Sequence, residues 1–174
     1  MHPCALVRLG WVFKLVMKKS LLSIVIVCGI ALLAGACTPS APLSTKSADT
    51  AAKQFEPIPG YATIYVYRKR QITGRGYLVP VTMDDRLIGH ISEYDFLRID
   101  AEAGKHFTYL KGGSNMSPAE FEVEADTVYY VEFSLEDGYA VFRRVLDEEE
   151  AKKAIRKRDL ARNYFDGIMP VVTD

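Results

Sequence analysis

Between Gly60 and Leu146 the chain is written in short runs of β-branched and aromatic residues broken at close spacing by turn formers, and this pattern restricts it to an antiparallel β architecture. Tyr61 to Tyr67 places Ala62, Ile64 and Val66 on one face and Tyr61, Thr63, Tyr65 and Tyr67 on the other, a strand with two usable faces. Tyr77 to Met83 and Leu87 to Ile91 predict a hairpin around Asp84-Asp85, because aspartate tolerates the positive φ of a tight turn. Pro80 has no N–H for the ladder, so its strand lies at an edge or carries a bulge. Further strands are expected over 96–100, 105–111, 120–123, 127–135 and 139–146, punctuated by Gly104, Gly112-Gly113, the 115–118 stretch and Asp137-Gly138. About eight short strands in some 87 residues favour a two-sheet antiparallel β-sandwich over one open sheet.

Beyond Leu146 the period changes. Asp147 offers an N-cap carboxylate with Glu150 three residues on, and Glu148 to Glu150 put negative charge at the positive end of a helix dipole. Ala151, Ala154, Ile155, Ala161 and Phe165 recur near helical spacing, which predicts one C-terminal α-helix over 148–165, stopped at Gly167. The apolar tail Ile168 to Val172 is expected to dock on the sandwich, so the C-terminal unit runs 147–174.

The start of the chain obeys other rules. Residues 1–37 carry Arg8, Lys14, Lys18 and Lys19, no acidic residue, and then a 13-residue apolar run from Leu21 to Leu33. Charge followed by an apolar stretch is the order of an export signal, and the run falls short of the roughly 20 residues that a bilayer-spanning helix needs. Met17 opens a compact Met17-Lys18-Lys19 region joined directly to that run, and translation is expected to start there. The segment ends Leu33-Ala34-Gly35-Ala36-Cys37, which resembles the lipobox of bacterial lipoproteins, with the leucine one place further from the cysteine than is usual. The resemblance implies cleavage before Cys37, a signal peptide over 1–36, and a lipid-modified Cys37 as the membrane anchor. Two or three acyl chains would hold such a protein firmly, since each buried methylene contributes about 0.8 kcal/mol.

Removing residues 1–36 takes away four cations and no anion, leaving 18 against 22 and a net charge of four negative. A nucleic-acid partner is therefore not expected. Of Cys4, Cys28 and Cys37 only the last survives such processing, which excludes an internal disulfide or a thiolate metal site. Residues 37–59, rich in Ser, Thr, Ala and Pro, read as a flexible linker reaching about 25 Å beyond the anchor.

Gly60 to Arg68, Val81 to Gly89, Ala103-Gly104-Lys105-His106 and Ala125 to Val131 together resemble a family of bacterial lipoproteins known only as a domain of unknown function. They are also similar to PEGA-like surface modules, in which a hairpin is followed by a Gly-x-His strand. This resemblance covers 60–146, implies a β-sandwich in the cell envelope, and carries no catalytic residue to this chain. Thr38 stands where an aspartate often signals inner-membrane retention, so in a two-membrane host the periplasmic leaflet of the outer membrane is expected.

Catalytic chemistry finds little purchase. His90 and His106 fall on different predicted strands, so no metal is expected, and His106 behind a turn glycine suggests a fixing role. Ser92 near His90, Glu93 and Asp95 lacks triad geometry, and Glu120, Glu122 and Glu124 alternate as a solvent face. Gly74-Arg75-Gly76 lacks phosphate-loop spacing, and no cofactor is expected. Two features remain as candidate binding surfaces. Arg68, Lys69, Arg70 and Arg75 gather around one expected hairpin tip, where they could meet an anionic lipid headgroup. Tyr61, Tyr65 and Tyr67 form a stripe suited to stacking on a glycan or a protein. The expected function is a non-catalytic, membrane-anchored envelope lipoprotein that binds another envelope protein. The alternative is a glycan or small-ligand binding module.

Overall fold

A computed structural model describes residues 41–72, 76–112, 115–136, 139–165 and 167–171. In chain order the described elements are α1 (Lys46–Ala52), β1 (Ala62–Arg68), β2 (Val79–Met83), β3 (Arg86–Ile91), β4 (Asp95–Ala101), β5 (Gly104–Gly112), β6 (Asn115–Val123), β7 (Val128–Glu136), β8 (Tyr139–Arg144), α2 (Glu148–Ile155) and β9 (Asp159–Leu160). They form two sheets, ordered β8-β7-β1-β4-β9 and β3-β2-β5-β6, mainly antiparallel and consistent with a β-sandwich. Parallel pairing occurs where β1 lies beside β7 and β4 beside β9. The chain crosses between sheets after β1, β3, β4 and β6, so the halves of the sandwich are interleaved rather than stacked as separate units.

The alternation in β1 produces two cores. Ala62, Ile64 and Val66 face the second sheet and pack with Val81, Met83 and Ile99. Tyr65 and Tyr67 face the other way, where Phe96, Tyr130 and Val145 join Ala52 and Phe55 from the α1 region and Ala151 and Ile155 of α2. Every residue of β1 is consequently buried. The described residues form three layers: helices, five-stranded sheet, four-stranded sheet.

The expected hairpin forms. Met83 pairs with Arg86 across Asp84 and Asp85, whose φ values are +49° and +59°. Those positive values are the geometry of a two-residue primed turn. Pro80 belongs to a strand flanked on both sides, and the bulge between Val81 and Thr82 accommodates that strand's irregularity.

Three expectations need correction. The 37–59 stretch is not a free linker: from Ala41 onward it is packed, with Leu43 bridged to Ala161 and α1 capped by Thr45, whose hydroxyl accepts from the Ala48 N–H at 3.2 Å. Asp49 then accepts the Leu160 N–H at 2.8 Å, and Phe55 is buried against Tyr65. Secondly, the C-terminal helix ends at Ile155 instead of continuing to 165. Asp147 caps it as expected, accepting the Glu150 N–H at 3.1 Å, but Leu160 and Ala161 are worth more as partners of Phe96 on the sheet edge than as a further helical turn. Thirdly, residues 115–118 are part of β6 rather than a break between strands. The tail does dock: Met169 is fully buried, accepts the Glu102 N–H and donates to Asp100 O.

Candidate functional site

The tyrosine stripe lies inside the protein. Tyr65 and Tyr67 are buried, and Tyr65 donates from its hydroxyl to Ala52 O at 2.6 Å while its ring stacks on Tyr130 at 5.6 Å. Burial pushes both phenols up to about 12; Arg98 partly opposes the shift at Tyr65, and Glu132 adds to it at Tyr67. The rings are beneath the helices, so they serve as packing and leave only the half-buried Tyr61 near solvent. Alternation identified the face correctly but could not say that two helices would cover it.

The basic cluster is also divided. It belongs to a connection between sheets, not to a hairpin tip, because β1 and β2 lie in different sheets. Arg68 is fully buried, with its guanidinium lowered from the ordinary arginine range by burial and partly restored by Glu93. Arg158, likewise buried, donates to Arg68 O at 2.7 Å and lies 5.1 Å over the Tyr67 ring. Lys69 and Arg70 are exposed, and Arg70 sits over Tyr94 at 5.5 Å. Arg75 and Cys37 lie outside the described residues.

His106 does fix the fold. Its Nε2 donates to Glu102 O at 2.9 Å and its Nδ1 lies 2.6 Å from Asp84 Oδ2, both side chains being buried. Asp84 Oδ1 in turn accepts the Phe107 N–H at 2.8 Å. The hairpin turn is thereby strapped to β5, which gives the Gly-x-His pattern a structural reason. Gly104 is required for the same strand entry: its φ is +139°, and a β-carbon there would lie 2.8 Å from Val171 Cγ2.

His90 is remote from this strap and approaches Tyr164 Oη at 3.3 Å. Ser92 donates to Asp95 Oδ2 at 2.7 Å, a bond that closes the β3–β4 turn. Among the described residues no three His, Cys, Asp or Glu side chains converge as a metal site would require, and no helix is long and apolar enough to cross a membrane. A shallow concavity beside α1 contains Arg98 and Asp100, but these already bond to each other, to Thr63 and to Glu56 O.

A site missed by sequence reasoning lies between the sheets. Where the edge strands β6 and β8 face each other, a cavity of about 240 Å³ is walled by Ile64, Val66, Met83, Ile99, Val131 and Phe142. Its mouth includes exposed Glu120, Glu122 and Arg144. Thr108 and Tyr129 contribute the polar atoms of the wall, and both are already bonded, Thr108 donating to Thr82 O at 2.6 Å and Tyr129 Oη accepting the Glu124 N–H at 2.9 Å. The cavity therefore offers an apolar interior with charge only at its rim. No local motif encodes this void, since it arises from residues on seven strands.

No protein-family model matches the chain, and no curated protein matches it significantly in sequence. What the described residues define by themselves is a three-layer, mainly β domain with an apolar cleft at a sheet edge.

Proposed function

We propose that the chain is a non-catalytic lipoprotein of the cell envelope, anchored through Cys37 and acting as a binding module for another envelope protein, in a two-membrane host on the periplasmic face of the outer membrane. The observation that carries this reading is the position of Cys37 after a cationic and apolar leader, only a few residues ahead of Ala41, which is packed and is the first of the described residues. Acylation at that sulfur would tether the domain to a membrane. The domain would then stay near the lipid surface, because residues 38–40 span only about 10 Å even when extended. The likeness to lipoprotein and PEGA-like modules supports the same reading through the Asp84 turn and the Gly104-Lys105-His106 strand entry. Metabolic labelling with an alkyne fatty acid tests the anchor: label is expected on the chain and lost in Cys37→Ser, and an unlabelled chain would overturn the anchor. In-cell crosslinking with mass spectrometry tests the partner, expecting one dominant protein neighbour.

A second reading, a module for a small ligand, is favoured by the inter-sheet cavity, because the interior of a well-packed sandwich ordinarily retains few voids larger than water.

A further inference from the structure

We infer that the inter-sheet cavity is a binding site for a single-chain amphiphile with an anionic head, a medium-chain fatty carboxylate. The inference rests on the small-ligand reading and supplies its chemistry.

Size sets the first bound. A dry apolar cavity of about 150 Å³ accepts a benzene-sized guest. The 240 Å³ here is larger, yet far from what the two chains of a phospholipid would fill. Wall chemistry sets the second. Burying a polar group without a hydrogen-bond partner costs several kcal/mol, about 4–8 on the scale where nothing compensates. Thr108 donates its only proton to Thr82 O and Tyr129 Oη already accepts the Glu124 N–H, so between them the Tyr129 O–H is the one donor left for an incoming sugar or peptide, which carries many polar groups. A hydrocarbon chain needs no such partner, and it would gain by leaving water for the faces of Ile64, Val66 and Val131.

The rim sets the third. Arg144 lies 4.6 Å over the Tyr129 ring and has no carboxylate partner among the described residues. Of the two glutamates at the mouth, Glu120 is paired with Lys105 at 3.3 Å, which leaves exposed Glu122 as the acidic group opposing an anion. A guanidinium at the mouth of an apolar pocket suits a carboxylate head, because its planar donors match the two oxygens and it stays weakly hydrated. The ring beneath Arg144 fixes it without consuming its N–H donors. A fatty carboxylate would thus place its chain among the aliphatic walls and its head on Arg144.

Titration calorimetry of the full chain with sodium decanoate tests this, with 1-decanol and a lysophosphatidylcholine as comparison ligands. Saturable one-to-one binding of decanoate is expected, with decanol about tenfold weaker, the value of one charge-assisted contact. Arg144→Ala should weaken decanoate about tenfold, leave decanol unchanged and, being an exposed substitution, leave the thermal midpoint in place. Glu122→Gln should tighten decanoate and not decanol. Decanol bound as well as decanoate would overturn the anionic head while the small-ligand reading survived. Lysophosphatidylcholine bound more tightly than decanoate would identify a zwitterionic lipid as the ligand instead and overturn the proposal. No saturable binding of any of the three would remove both the proposal and the small-ligand reading.

Discussion

The two faces of the five-stranded sheet are built from the same strands and solved differently. Towards the helices, Tyr65, Tyr67, Phe96 and Tyr130 form an aromatic layer closed by Ala52, Phe55, Ala151 and Ile155. Cations complete it from outside: Arg156 lies 5.3 Å over Phe55, and Lys53 5.7 Å over Phe96. Towards the second sheet the residues are smaller and mostly aliphatic, and the β6–β8 end is left open. Large rings fill a helix-on-sheet space in which each helix can settle onto them. Two sheets whose spacing is set by their ladders and crossovers have less freedom to close around small side chains. The helix face is thus closely filled, and the sheet-to-sheet face is where the domain retains an open cleft.

Substitutions can test that division. The largest effect is expected from Tyr65→Ala, which removes a fully buried ring from the aromatic layer and should cost about 3–5 kcal/mol in urea unfolding. Tyr65→Phe keeps the ring and loses only the bond to Ala52 O, so about 1 kcal/mol is expected. Ile64→Val, one residue away on the other face, should cost about 0.5–1.5 kcal/mol. Equal losses from Tyr65→Ala and Ile64→Val would refute the division. Next comes Ala151→Val, which adds volume where α2 meets the aromatic layer and should cost about 1–3 kcal/mol. Gly104→Ala should cost a similar amount through its positive φ and the clash with Val171, and should loosen the docked tail, read as faster amide exchange at Met169.

The helix face should also respond to base. Tyr65 and Tyr67 titrate near 12 when folded, against an ordinary value of 10, because burial disfavours the phenolate. The unfolded chain therefore releases these protons first. Their contribution is intact below about pH 10 and declines as the pH rises towards 12. The urea midpoint should fall across that window, and by less in a Tyr67→Phe variant.

Much of this was legible in the residues. The period-two pattern located β1, β3, β4, β7 and β8 to within a few positions, because burial on at least one face forces alternation. The Asp84-Asp85 turn was legible because its backbone geometry tolerates so few residue types. What escaped was whatever depended on distant partners. Thr45 with Ala48, Asp49, Ala51 and Ala52 carries a helix start, but its composition resembles a linker until Leu160 and Tyr65 are there to receive it. Arg68 reads as a surface cation, and only the fold places it beside Glu93 and Arg158 in the interior. The cavity was invisible for the same reason: each wall residue is an ordinary strand residue, and the space between them belongs to the packing of two sheets.

The smallest expected effect is also the most discriminating. Val131→Ile adds one methylene at the cavity wall, where there is room to receive it. A methylene moved from water to a buried apolar site contributes about 0.8 kcal/mol, and cavity filling typically gains about 0.5–2 kcal/mol, so the urea midpoint should rise slightly. The two carbons that Ala151→Val adds are expected to be destabilising, because that space is already filled. The opposite signs follow from the difference between the two faces. If Val131→Ile stabilises the domain and also weakens decanoate binding, the stability lost by leaving the cleft open and the room it provides for a ligand are one property measured twice. A destabilising Val131→Ile would mean that the walls close on themselves in solution, and the contrast between the two faces would then disappear.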